Sequence, residues 1–419
     1  MYDKTVLDNG LRVITSTMPH SRSVSIAFLA GAGSCYENQE EAGLSHFAEH
    51  LFFKGTQRRP TAKAISQEIE GVGGIINAST DKEATIFWCK VASSHFPMAL
   101  DVLSDILLNS RFDAAEIEKE RQVVIEEINM NLDLPQQRAG MLIDELLWPG
   151  QPLGREVGGT KETVSRMNRE QMLSYIARRY VPNNIVVSIA GDIKHARAVA
   201  QVVPLLEKWS AKEIATQYTA DDRQTEARLR TESKEGEQAH VCLAVHGFSR
   251  FHPQRFVLDL LNAVLGGGMS SRLFTEIREQ RGLAYEIHSY VEHFLNSGSF
   301  IVYAGVDPAK VEIAAKAILE ELSKLKQGIS PGELTRAKEL SKGRLELRLE
   351  DSQHLALWLG GQELLMQRIL TLDEVIAMID AISVAELGHV AEQLLSSEQL
   401  NLAIVGPIKN QPSVKLLTV

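Results

Sequence analysis

Cysteine is scarce in this chain: Cys35, Cys89 and Cys242 are the only three in 419 residues. Their odd number and the lack of C-x-x-C spacing exclude a disulfide framework and a thiolate metal cage. Long apolar runs are missing too: nowhere do ~18 consecutive apolar residues occur, so no membrane-spanning helix is expected. Positive charge is in deficit, with 44 Lys+Arg against 54 Asp+Glu and a formal net charge of -10. Non-specific nucleic-acid binding neutralises phosphates, and anionic membranes attract basic surfaces, so neither partner is expected. The N-terminus, M-Y-D-K-T-V-L-D-N-G, lacks the basic and apolar regions of a signal peptide. A soluble cytoplasmic protein is the expectation, and a transit peptide already removed is compatible with it.

Apolar residues are not lacking. At 44% hydrophobic the chain can bury real cores, and 419 residues exceed what one core sustains, so two or more domains are expected. Residues 1–30 alternate like strands about a turn at Asn9-Gly10. Helical periodicity follows at 42–54, 61–71, 97–109 and 113–131, with a strand-like T-I-F-W-C-K-V at 85–91. A helix near 170–180 leads into I-V-V-S-I-A-G-D, which closes a first unit at about residue 192. The stretch 208–237 is polar and charged, and reads as a linker that can still hold an edge strand.

The first unit then restarts. H-V-C-L-A-V-H-G-F at 240–248 resembles S-V-S-I-A-F-L-A-G at 23–31, and 276–285 matches 68–77 at an offset of 208. Pro97 and Pro308 each open an apolar helix, and N-I-V-V-S-I-A-G-D-I at 184–193 recurs as Q-L-N-L-A-I-V-G-P-I at 399–408. The shared order predicts two homologous α+β sandwich-like domains. Their bounds are 1–207 and 238–419, with 208–237 as the linker.

The chemistry is concentrated at 46–50, H-F-A-E-H. On a helix His46 and His50 are i and i+4 and share a face, so two imidazoles can reach one metal at ~2.0–2.1 Å. Glu49 then lies beside the metal without binding it, placed as a general base for a water the metal activates. As isolated histidines these would be ordinary surface or core residues. Flanking a glutamate among Phe47, Ala48, Leu51, Phe52 and Phe53, they would be buried polar groups in need of a shared ligand. A catalytic zinc needs a third protein ligand. The helix A-A-E-I-E-K-E-R-Q-V-V-I-E-E-I-N-M offers Glu120 and Glu127, seven apart on nearly one face, and Glu126 rotated by roughly 100°. Spacing alone leaves Glu127 little better placed than its neighbours.

The H-x-x-E-H order resembles the inverzincin peptidases of the insulinase/pitrilysin clan, and in size their mitochondrial-processing-peptidase-like branch. That resemblance implies a Zn²⁺ enzyme whose third ligand, a Glu, lies 77 residues past the second His. Counting 77 from His50 lands on Glu127. A supporting Glu seven residues earlier corresponds to Glu120. The resemblance extends to 265–285, where Arg278 and Tyr285 have the spacing of an Arg/Tyr pair that reaches the zinc site of the other half; a guanidinium and a phenol can donate to a peptide oxyanion. Asn77 and Ala78, in N-A-S-T, correspond to an edge strand that pairs with substrate backbone. Gly266-Gly267-Gly268 lacks the phosphate-loop pattern and reads as a flexible or tightly packed loop.

The resemblance thus implies two facing domains around a shared cavity. It implies a zinc endopeptidase acting on short or unfolded peptides, with presequence-like ones in that class, and a homodimer, because metal motif and Arg/Tyr pair sit in one chain. The rival reading is a non-catalytic structural subunit of the same family. A zinc hydrolase of non-peptide substrates fits the ligands but not the peptide-strand segment.

Overall fold

The computed structural model describes residues 2–214, 218–408 and 412–419. In chain order the strands are β1 (Asp3–Val6), β2 (Arg12–Thr17), β3 (Ser23–Ala30), β4 (Ile75–Thr80), β5 (Thr85–Ala92), β6 (Ile185–Gly191), β7 (Arg228–Ser233), β8 (Ala239–His246), β9 (Ala284–His293), β10 (Gly298–Val306) and β11 (Asn401–Gly406). The helices are α1 (Leu44–Phe52), α2 (Ala62–Glu70), α3 (Phe96–Asn109), α4 (Ala114–Asp133), α5 (Pro135–Leu147), α6 (Lys161–Arg166), α7 (Arg169–Arg179), α8 (His195–Leu206), α9 (Arg255–Gly266), α10 (Val311–Gln327), α11 (Pro331–Leu349), α12 (Ser352–Met366), α13 (Leu372–Ala381) and α14 (Val384–Leu394). A π-helical turn spans Phe274–Gln280.

Two compact units result. The first holds residues 1–128, 156–218 and 346–371; the second holds 129–155, 219–345 and 372–419. The sheet of the first unit runs β1-β2-β6-β3-β5-β4, with β2 and β6 parallel and every other neighbouring pair antiparallel. The sheet of the second runs β7-β11-β8-β10-β9, again with one parallel pair, β7 with β11. Strand for strand this is the first sheet without β1. The α+β repeat read from the sequence is therefore the architecture, and β7 is the edge strand inside the polar 208–237 stretch.

In the first unit β3 reads S-V-S-I-A-F-L-A, an almost unbroken buried run, because both faces of the sheet are covered. Ala27 and Leu29 meet Ala356 of α12, while α3 packs along β5 and β3. Gly360 brings α12 down onto the sheet: a Cβ there would strike Leu29 Cδ1 at 2.4 Å and Ser188 Cβ at 2.9 Å. In the second unit α5 covers β8 and β11. Each sheet is thus covered by a helix encoded in the other half of the chain. The three cysteines are buried and free. Among the described residues no helix is long and apolar enough to cross a membrane.

Candidate metal centre

Helix α1 begins at Gly43, whose φ of 94° belongs to glycine; a Cβ there would lie 2.4 Å from the Gly158 carbonyl oxygen. With no side chain at the cap, the first N–H groups are taken by a residue upstream. The carboxylate of Glu37 accepts from Gly43 N at 2.8 Å and from Ser45 N at 2.6 Å. That satisfies orphan donors and sets negative charge at the helix N-terminus. Ser45 Oγ lies 2.6 Å from the buried Tyr175 hydroxyl. Leu44, Phe47, Ala48, Leu51 and Phe52 fill the core, which fixes the face carrying His46, Glu49 and His50.

The two imidazole Nε2 atoms stand 3.3 Å apart. From α4, Glu127 Oε2 lies 3.7 Å from the Nε2 of His46 and 3.6 Å from that of His50. Ligand atoms bonded at ~2.0–2.1 Å to a tetrahedral ion are separated by about 3.3–3.4 Å, so one ion fits all three. Among the described residues these form a three-ligand cluster. Glu126 is exposed, so the structure separates the two adjacent glutamates that spacing left open.

Proton placement agrees with this use. His50 Nδ1 is 2.9 Å from Glu120 Oε1, and a carboxylate only accepts, so Nδ1 donates, and in the neutral ring the Nε2 lone pair faces the cluster. With both rings neutral, the two imidazole nitrogens and the carboxylate oxygen turned on one another share at most one proton, from His46, and a cation satisfies all three. Glu120 Oε2 takes Lys54 Nζ at 2.6 Å, completing a chain Lys54–Glu120–His50. Burial, aided by the His50 charge, pulls His46 down to about 4 and keeps it neutral. For His50 burial acts the same way, but the Glu120 hydrogen bond and the charges of Glu49, Glu120 and Glu127 outweigh it and raise the pKa. Glu120 goes the other way: burial is overcome by hydrogen bonds from His50 and Lys54, and its pKa is lowered.

Glu49 is not part of the ligand cluster. Burial, reinforced by Glu127, raises its pKa against the opposing pull of Thr80 and His50. Its Oε2 accepts from Thr80 Oγ1 at 2.9 Å. Thr80 ends β4, the outer strand of its sheet, which also carries Asn77 and Ala78. The Ala78 N–H donates to the Asn77 side-chain oxygen at 2.8 Å.

Arg278 and Tyr285 belong to the second unit. They are brought together with each other, the guanidinium lying 5.5 Å from the Tyr285 ring centroid and 4.7 Å from that of Phe274. Tyr285 is 76% exposed. Gly266 is tightly packed, since a Cβ there would meet Ser289 N at 2.4 Å.

Glu37, Lys54 and Thr80 were not singled out as site residues from the sequence. Lys54 lies four positions past His50, just beyond the end of α1, and that spacing was the available signal. Glu37 sits six residues before its glycine cap, outside the usual capping pattern, and Thr80 looks like any strand threonine.

Two family models match the chain. Insulinase (peptidase family M16) covers residues 12–161, and the peptidase M16 inactive domain covers residues 166–341. A Bacillus subtilis protein named as the uncharacterized zinc protease YmxG is 37% identical over 418 residues, 99% of this chain and 100% of its own. A Mycobacterium leprae protein named as an uncharacterized zinc protease is also 37% identical, over 98% of this chain and 93% of its own. Among solved structures, a Helicobacter pylori protease superposes with a TM-score of 0.93 at 24% identity, covering 97% of this chain and 99% of that one.

Proposed function

The chain belongs to peptidase family M16, the insulinase family, and from that premise we propose that it is a zinc-dependent endopeptidase acting on short or unfolded peptides. The observation that carries the reading is the convergence of His46 Nε2, His50 Nε2 and Glu127 Oε2 beside a half-buried Glu49 outside the cluster. Relatives named as zinc proteases support zinc as the ion. When bound, zinc supplies Lewis acidity, polarising the scissile carbonyl and making a water acidic near neutral pH. His46, His50 and Glu127 hold it, and Glu120 fixes the ring of His50. Glu49 takes a proton from the attacking water and returns it to the leaving amine. The peptide lies as an added strand on the open edge of β4, along Asn77 and Ala78, held through its main chain. Arg278 and Tyr285 serve as donors to the substrate carbonyl.

The rival, a non-catalytic subunit, gives no reason to keep two half-buried imidazoles and a carboxylate turned on one another. A homodimer is proposed for the active form; full activity in a species of monomer mass by gel filtration overturns that. The test of the main reading compares the native chain with Glu49→Gln for zinc content and hydrolysis of quenched peptides. The expected result is about one zinc per chain in both, with cleavage in the native chain alone. Cleavage by Glu49→Gln at the native rate, or none by either, overturns it.

A further inference from the structure

Strand β4 has two sides with different duties. At the hairpin, Asp81 N donates to Ala84 O at 2.9 Å, which makes Asp81 and Ala84 a hydrogen-bonded pair. Antiparallel pairs alternate, so in the register Thr80↔Thr85, Ala78↔Phe87 and Ile76↔Cys89 the β4 backbone groups turn away from β5. These are the positions whose main chain faces the open edge. The bond from Ala78 N to the Asn77 side chain agrees with that alternation. Side chains of the same three residues point to the half-buried face, and the Thr80 hydroxyl reaches Glu49 there. Thr80 therefore presents main-chain groups to the edge and a hydroxyl donor to the half-buried Glu49 carboxylate.

The strand itself does not need that hydroxyl. Valine has the same shape and an equal preference for strands, so a purely structural residue here would be as well served by it. Thr80 instead directs its oxygen to one of the two carboxylate oxygens of Glu49. Thr85 Oγ1 donates to Ala32 O at 2.9 Å and stands 3.5 Å from Thr80 Oγ1, fixing the cross-strand pair. A glutamate has several rotors to freeze, and a hydrogen bond to one oxygen leaves the other aimed and free.

We propose that Thr80 is a positioning residue that holds the general base Glu49 from the strand edge on which the peptide is seated. The assignment rests on the peptidase reading above. Register of the peptide on β4 and orientation of the base are then set by a single residue, so that a correctly seated scissile bond meets a correctly aimed carboxylate.

The test uses the full zinc-loaded chain and a quenched peptide, with kcat, KM and zinc per chain measured for T80V, T80A and T80S. A charged hydrogen bond of this kind corresponds to a roughly 10- to 100-fold fall in kcat for T80V and T80A. KM should stay within about 3-fold and zinc content unchanged, and T80S should recover most of the rate. Native kcat in T80V and T80A overturns the assignment, as does a loss confined to KM or a T80S as impaired as T80V. If T80V loses zinc, T80A and T80S decide by the same criteria. The glutamine variant at position 49 keeps the two readings apart. If it cleaves like the native chain, the peptidase reading fails; if it is inactive while T80V and T80A keep native kcat, only the Thr80 assignment fails.

Discussion

Set side by side, Glu116, Ile117 and Glu120 of α4 align with Glu333, Leu334 and Ala337 of α11. Ile117 and Leu334 are buried alike, at 2% and 7% exposure, and Glu120 and Ala337 sit equally deep at 6% and 3%. Only the chemistry differs. Where α4 sinks a carboxylate that His50 and Lys54 satisfy, α11 sinks a methyl group. Seven residues on, Glu127 aligns with Arg344. The same holds for α1, with its H-F-A-E-H, against α9, whose Leu258, Leu260, Leu261 and Val264 are simply buried. Two copies of one sheet show what the fold requires at these sites, which is apolar volume. A buried charge without partners is costly, so the polar set in the first unit is not what folding asks for there, in keeping with the metal role proposed above.

The comparison breaks most severely if the first unit is given the residues of the second. His46→Ala or His50→Ala should reduce zinc content from about one per chain to near zero and abolish cleavage, with the far-ultraviolet circular dichroism of the native chain. The converse exchange is next in size. Ala337→Glu places a carboxylate in α11 with no counterpart to His50 and Lys54, and should cost about 3–5 kcal/mol by urea unfolding. A native midpoint for that variant would show that α11 tolerates what α4 has to pair. Smaller again are the supports of His50. Glu120→Gln should weaken zinc binding roughly 10- to 100-fold in chelator competition, and Lys54→Met by about 10-fold, since Lys54 acts through Glu120.

Much of this was legible in the sequence, for identifiable reasons. The histidine pair declares itself because i and i+4 share a helix face, and the repeat because strands and helices recur in one order. The choice of Glu127 over Glu126 needed either the resemblance or the structure, since a long acidic helix carries glutamates on every side. The exchange of α5 and α12 was not legible. An apolar stripe says that a helix is buried, not which of two similar sheets it covers. The bond from Thr80 to Glu49 was hidden for a related reason: 31 positions separate them, and a threonine at the end of a strand has an ordinary explanation.

The smallest expected effect lies at the start of the two aligned helices. Ser330 and Glu333 form a reciprocal cap on α11: Glu333 Oε2 accepts from Ser330 N at 2.8 Å, and Glu333 N donates to Ser330 Oγ at 3.2 Å. Arg272 adds a contact at 2.6 Å. With the Arg272 hydrogen bond as the largest cause, the Glu333 carboxyl is brought down to about 2. A carboxyl whose pKa is lower folded than unfolded adds stability above the unfolded value, near 4.5, and loses it as pH falls toward 2. Glu333→Gln should therefore cost about 1 kcal/mol above pH ~5, after allowing for solvent screening, with the gap to the native chain closing toward pH 2. Glu116→Gln is the matched control in α4, because its partner Lys119 is 70% exposed and such pairs contribute little. A gap for Glu333→Gln that persists unchanged at pH 2 would assign its effect to packing instead of charge. The two aligned glutamates would then differ in shape fit alone.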